Sequence, residues 1–157
     1  GGGGGAAPVR FVGYSAVLFS GLRSAYGLPE EALKGSVCVR EGVVGFSPSS
    51  SKSGRRFFRT HDERFVLKTL TPAEAAFLLD MLYPLYEHVV KHPGTLLPRH
   101  CGLFGVTDLR TQQEVLFSVE TNAFWTGGCV PGLAVEERYD LKGSAVGRET
   151  VGHAAAA

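Results

Sequence analysis

The stretch that most restricts the possible folds is Ser47–Glu74, which combines a loop, two short strands and the start of a helix. Small residues dominate 47–54 and predict a flexible loop. The apolar stretches 57–60 and 64–70 flank a short polar turn, which predicts an antiparallel hairpin. Residues 71–74 (TPAE) have the form of a capping box with proline at the first helical position. This arrangement predicts a hairpin that leads directly into a helix.

One basic residue, Lys68, lies inside the second predicted strand. Alternation places Val66, Lys68 and Leu70 on one face, and both faces are largely apolar, so we expect Lys68 to be partly buried. A buried ammonium needs a counter-charge, because desolvating an unpaired charge costs several kcal/mol, roughly. Glu74 or a ligand phosphate could supply it. Two questions stay open. Lys68 could instead be an edge-strand lysine with its ammonium in water, and Glu74 could be a cap only, a lysine partner only, or both.

Helical spacing of apolar residues occurs in three stretches. They are residues 11–27, residues 29–33, and a long segment that begins at Pro72 and ends before Pro93. The predicted buried stripe of the long helix comprises Ala75, Leu78, Leu79, Leu82, Tyr86 and Val90. Pro84 lies inside this helix and is expected to kink it or split it in two.

Four further stretches have strand patterns: residues 37–46, 101–107, 114–120 and a short one within 135–143. Because strands follow one another in sequence, the order predicts an α+β fold in which helices flank an antiparallel sheet. Residues 1–8 are low-complexity and are expected to be a linker.

Composition limits the classes of function. The chain has 157 residues, 44% of them hydrophobic, which suits one modest domain. A net charge of +1 argues against general nucleic-acid binding. Six of the sixteen Lys and Arg residues nevertheless lie within 52–68, and such a basic segment favours phosphate-bearing partners.

Several sites are not expected. The sequence contains no GxxxxGK[ST], GxSxG or HExxH motif, and its three cysteines lack zinc-ligand spacing, so no metal site is predicted. No apolar stretch approaches the ~20 residues of a membrane-spanning helix, and no secretory leader is recognisable. We therefore expect a soluble intracellular protein.

One motif stands out near the end of the chain: RYDLKGSAVGRE, at residues 138–149. Five earlier segments accompany it in a fixed order: SKSGRRFF, FVLKTL, PAEAAFLLDMLYP, TLLPRHCGLFGV and VETNAF. Together they resemble the phosphatidylinositol phosphate kinases, of the phosphatidylinositol-4-phosphate 5-kinase-like type, over nearly the whole chain from Phe11. These are lipid kinases with a protein-kinase-like fold.

The resemblance implies roles for individual residues. Lys68 and Lys142 would be catalytic, and Lys142 and Arg148 would bind the lipid substrate. The residues implied to bind ATP are Ser53, Gly54, Lys68, Glu74 and Asn122. The metal ligands for Mg²⁺ are implied to lie in a second, carboxy-terminal lobe, because the aspartates of that lobe do not follow Arg148 in this sequence.

The resemblance also implies an architecture and a setting. Residues 9–150 would form the amino-terminal lobe of the kinase domain and 151–157 a tail, with the carboxy-terminal lobe absent and this chain alone inactive. The complete enzyme would use ATP to phosphorylate a phosphoinositide headgroup, in the cytoplasm at the inner face of the plasma membrane. A homodimer is possible. The alternatives are a non-catalytic nucleotide- or phosphoinositide-binding module and a dimerising interaction scaffold.

Three features depart from the family pattern. Glu120 stands where the interlobe hinge usually has an apolar residue, and its carboxylate could meet the adenine edge unfavourably. Arg55 and Arg56 replace smaller residues after the loop glycine, and the segment after Phe124 is longer than usual.

Overall fold

The computed structural model describes residues 8–39, 43–46, 55–127 and 135–137. Six strands and three helices lie in this part of the chain, and they confirm the α+β prediction. In chain order they are β1 (Val9–Tyr14), α1 (Ala16–Ala25), α2 (Glu30–Val37), β2 (Val43–Phe46), β3 (Phe57–Thr60), β4 (Phe65–Leu70), α3 (Pro72–Lys91), β5 (His100–Asp108) and β6 (Glu114–Thr121).

The strands form one antiparallel sheet in the order β1-β5-β6-β4-β3-β2. The predicted hairpin is confirmed as β3–β4, and the predicted pairing of the two later strands is confirmed as β5–β6. Lys68 on β4 lies opposite Phe57 of β3 and Ser118 of β6. Because β4 has a partner on both sides, the edge-strand alternative for Lys68 is wrong.

Two apolar clusters hold the helices on the sheet. The first joins α1 and α3 to one sheet face; its buried members are Phe19, Leu22, Ala75, Leu78, Leu82, Leu85, Val89 and Leu103. The second joins α2 to the other face; its buried members are Leu33, Phe65, Leu67, Cys101 and Val119. Since β4 contributes Leu70 to the first cluster and Phe65 and Leu67 to the second, the strand is covered on both faces, as its sequence predicts.

A buried arginine connects three elements. Arg23 of α1 is only 8% exposed. Its Nη1 donates to the Cys101 carbonyl of β5 at 2.6 Å, and its Nε and Nη2 donate to Glu30 Oε2 of α2 at 3.0 and 2.6 Å. The charge is therefore paired as well as buried, which a buried guanidinium requires.

One helix and one strand begin later than the sequence predicts. The helix expected over residues 11–27 begins only at Ala16, because Val9–Tyr14 forms an edge strand paired with β5. Its partner lies about ninety residues away, so local spacing could not indicate the pairing. The strand expected over residues 37–46 is limited to Val43–Phe46, since Val37 ends α2. Residues 135–137 are not in a strand, and the rest of the segment expected there lies outside the described residues.

The long helix α3 is continuous through Pro84, so of the two expected effects the split does not occur, and the kink stays a prediction. Leu82 and Leu85 are buried on either side of this proline, and their packing offsets the backbone hydrogen bond that proline cannot make. The buried stripe is also rotated from the prediction: Leu85 and Val89 are buried, whereas Val90 is exposed. A spacing of three and four residues from Ala75 onward gives the observed stripe.

The capping box at the start of α3 is confirmed. Thr71 accepts a hydrogen bond from the Glu74 backbone N–H, and the Glu74 carboxylate accepts one from the Thr71 backbone N–H. Replacing Thr71 with alanine should lower the free energy of unfolding by about 1 kcal/mol. Urea titration measures it, with the exposed Ser24→Ala of α1 as the control, expected within about 0.5 kcal/mol of wild type. Equal losses in both variants would contradict a role for the cap.

The chain divides into two compact units, Gly1–Trp125 and Thr126–Ala157. All nine elements belong to the first unit. Residues 126–127 and 135–137 are the described part of the second. Among the described residues, none of the helices combines the length and the apolar character needed to span a bilayer.

Candidate functional site

Lys68 lines a cavity between the sheet and α3, which we call the lysine cavity. Its volume is about 390 Å³. Besides Lys68, the polar side chains on its wall are Glu74, His100, Ser118 and Glu120. Lys68 is half-buried, as its alternation predicts. Lys68 and Leu70 share the sheet face that α3 covers, and the cavity lies between this face and α3.

Lys68 makes no salt bridge within the described residues. Glu74 lines the same cavity, yet its carboxylate pairs with the Arg55 guanidinium and caps α3. Hydrogen bonds from Thr71, together with Arg55, lower the pKa of Glu74. The ion pair expected between Lys68 and Glu74 is therefore not formed, because the cap and Arg55 hold the carboxylate. Glu74 is a cap, as one alternative predicted.

A polar group on β5 and β6 completes the cavity wall. His100 Nδ1 lies 3.4 Å from Glu120 Oε1, and the Ser118 hydroxyl donates to the same oxygen at 3.3 Å. Burial lowers the pKa of His100, although the Glu120 carboxylate opposes the shift; the Lys68 charge also lowers it. At neutral pH the imidazole is thus uncharged. Its Nδ1 is buried and lacks a hydrogen-bond partner among the described residues.

Sequence reasoning did not predict His100 or Ser118 as cavity residues. The register was the missing information: Ser118 lies opposite Lys68, and His100 lies opposite Glu120. Once β4, β6 and β5 are placed side by side, alternation puts all of these side chains on one face. Local pattern could predict each strand but not which strands are neighbours.

Asn122 does not line the lysine cavity. Its side-chain amide donates to the Glu63 carbonyl at 2.8 Å, and its Oδ1 accepts from the Phe124 backbone N–H at 3.1 Å. These bonds fix the segment after β6 against the β3–β4 turn. Asn122 lines a second cavity of about 500 Å³, and the two cavities share only Glu120.

Four predicted site residues, Ser53, Gly54, Lys142 and Arg148, lie outside the described residues. Their roles stay predictions. The structure brings Lys68 and Glu74 to one cavity and places Asn122 at another, and the roles of these three in nucleotide binding also stay predictions.

The lysine cavity suits a phosphate-bearing ligand. Among the described residues, its ammonium makes no salt bridge and its buried imidazole nitrogen has no hydrogen-bond partner, while apolar side chains of α3 line the same cavity. Each of these polar groups gains from a ligand atom that completes its interactions. Over the described ranges there is no group of three or more His, Cys, Asp and Glu residues that could hold a metal ion.

The antiparallel sheet, the capped helix and the lysine cavity define an α+β protein with a candidate binding site between its sheet and α3. The family model for phosphatidylinositol-4-phosphate 5-kinase matches residues 40–156. The chain therefore belongs to the phosphatidylinositol phosphate kinase family.

Named relatives agree with this assignment. Phosphatidylinositol 4-phosphate 5-kinase 7 of Arabidopsis thaliana is 39% identical over 87% of this chain and 17% of its own length. A probable phosphatidylinositol phosphate kinase of Dictyostelium discoideum is 36% identical over 89% of this chain and 19% of its own length. Human phosphatidylinositol 5-phosphate 4-kinase type-2 beta is 33% identical over 89% of this chain and 32% of its own length. The chain thus spans less than a third of each relative.

Proposed function

We propose that the protein acts in an ATP-dependent lipid kinase that phosphorylates the headgroup of a phosphatidylinositol monophosphate, with phosphatidylinositol 4-phosphate as the first candidate. The observation that carries the proposal is Lys68: a half-buried lysine without a salt bridge among the described residues, in a cavity, in a chain of this family. Such a group is suited to neutralise phosphate charge.

In this proposal the lysine cavity holds the phosphates of ATP. Lys68 donates to phosphate oxygens, and the apolar side chains of α3 limit water around that contact. ATP supplies the transferred phosphoryl group, and Mg²⁺ offsets its charge when bound. Residues around Ser53 and Gly54 cover the nucleotide. β2, β3 and β4 with α3 correspond to the strands and helix of a protein-kinase-like amino-terminal lobe.

Lys142 and Arg148 are proposed to bind the phosphorylated headgroup, which suits their charge and their place in the DLKGS segment. We propose that the protein works in the cytoplasm at the inner face of the plasma membrane, where anionic lipid attracts basic side chains by about 1 kcal/mol each. A homodimer stays a proposal as well.

One observation favours a second candidate function. Because Arg55 occupies the Glu74 carboxylate, the lysine–glutamate pair that active kinases require is not formed. A non-catalytic module that binds a nucleotide or phosphoinositide without transferring phosphate is consistent with this arrangement.

A kinase assay separates the two candidates. We expect the chain extended by its native downstream sequence to transfer labelled phosphate from ATP to vesicles that contain phosphatidylinositol 4-phosphate, and the 157-residue chain to transfer much less. Vesicles with phosphatidylinositol 5-phosphate test the position of transfer in parallel. Nucleotide binding without transfer in both proteins would favour the non-catalytic module, and neither binding nor transfer would contradict both candidates.

A further inference from the structure

The second cavity, beside the end of β6, has the character of a binding site. Its volume of about 500 Å³ falls within the range of small-molecule sites. Two arginines line it, Arg64 just before β4 and Arg99 just before β5. We propose that this arginine cavity binds a phosphate monoester whose organic part is a ring of moderate size. The inference is independent of the function proposed for the lysine cavity.

Both guanidinium groups are held on aromatic rings. The Arg64 Cζ lies 4.8 Å from the centroid of Trp125 and 6.0 Å from that of Phe65. The Arg99 Cζ lies 5.6 Å from the centroid of Tyr26. Stacking restricts the guanidinium planes without using their N–H donors, so less conformational entropy is lost when an anion binds.

Neither arginine has an acidic partner within the described part of the chain. Glu120 is the acidic side chain that also lines the cavity, and its carboxylate accepts a hydrogen bond from the Ser118 hydroxyl on the sheet face. Two unpaired guanidiniums in one cavity suit a dianion with three acceptor oxygens better than a carboxylate. This preference points to a phosphate monoester.

The remaining wall favours an organic group next to the phosphate. Leu97 and Trp125 contribute apolar surface, and the neighbouring Leu96 is 100% exposed at the rim. The polar groups of Asn122 are already used within the protein, and the two arginines are the cationic side chains on the described wall of this cavity. The source of the phosphate ester is either a soluble metabolite or a lipid headgroup, and the rim leucine is compatible with both.

The experiment uses Trp125, the single tryptophan of the chain, as the reporter. Titrating the 157-residue protein with phenyl phosphate should change the tryptophan fluorescence in a saturable way. Arg99→Gln and Arg64→Gln should each weaken the affinity about tenfold or more, because each removes a charge-assisted contact. Arg110→Gln, an equal charge change in the β5–β6 turn, should leave it unchanged. Benzoate and inorganic phosphate should each bind more weakly than phenyl phosphate.

Each outcome of these titrations either supports the proposed site or contradicts it. Equal affinity for benzoate and phenyl phosphate, or equal effects of the three arginine variants, would overturn the proposal. Arg64→Gln removes a contact with the Trp125 ring and so changes its fluorescence directly. Calorimetry therefore repeats the comparison of affinities without relying on fluorescence. Sedimentation with phosphatidylcholine vesicles, with and without phosphatidylinositol 4-phosphate, whose headgroup is a phosphorylated ring, tests the lipid source; Arg99-dependent binding to either source supports the site, and binding to neither contradicts it. In the Lys68→Met background, Arg99→Gln should still weaken phenyl phosphate binding about tenfold, which distinguishes this site from the lysine cavity.

Discussion

Replacing Lys68 with methionine should reduce the affinity for ATP roughly a hundredfold, which is the largest functional effect we expect. Methionine keeps the length and the apolar stem of the side chain but removes its charge. Because Lys68 is half-buried and makes no salt bridge within the described residues, its charge is available to a ligand. Calorimetric titration with a non-hydrolysable ATP analogue measures the change.

The matched control is Lys34→Met, on the exposed side of α2. Lys34 forms a surface ion pair with Glu31 at 3.4 Å and lies outside both cavities. Its replacement should leave nucleotide affinity unchanged and stability within about 0.5 kcal/mol. If both variants bind the analogue as wild type does, the lysine cavity is not the nucleotide site.

The largest effect on stability is expected at Leu82. This side chain is 0% exposed, in the middle of the cluster that joins α3 to α1 and the sheet. Leu82→Ala should lower the free energy of unfolding by about 2–5 kcal/mol, because burial is lost and a cavity remains. Urea denaturation followed by circular dichroism measures the loss.

Val90→Ala on the same helix provides the control. Val90 is 54% exposed, and alanine has the higher helix propensity, so stability should change by less than about 0.5 kcal/mol. The pair of variants also tests the orientation of α3, since the sequence pattern alone placed both residues on the buried stripe. Similar losses at the two positions would mean that α3 packs in another orientation.

Features that depend on neighbours in the sequence were predictable. The β3–β4 hairpin, the Thr71 capping box and the partial burial of Lys68 each follow from a few adjacent residues. Features that depend on distant partners were not. β1 is a strand because it pairs with β5. This short segment lies directly before α1 in the sequence, and its own residues give no local sign of the distant pairing.

The candidate site shows the same limit. Lys68 was predictable because it interrupts an apolar strand, whereas the contributions of His100 and Ser118 required the order of the strands. Either Arg55 or Lys68 could pair with Glu74, and the pair that forms depends on which side chain the fold places beside the carboxylate. The capping box fixes that carboxylate at the helix start, and sequence spacing cannot decide between the cations.

Chemical-shift mapping with a non-hydrolysable ATP analogue tests the central claim most directly. In the isotope-labelled chain, amide signals of β4 around Lys68, of β6 around Ser118 and of the first turn of α3 should shift together and saturate. Signals of the β5–β6 turn should stay in place. Saturable shifts confined to other residues, or an absence of shifts at high analogue concentration, would contradict the account that Lys68 lies in a nucleotide-binding cavity.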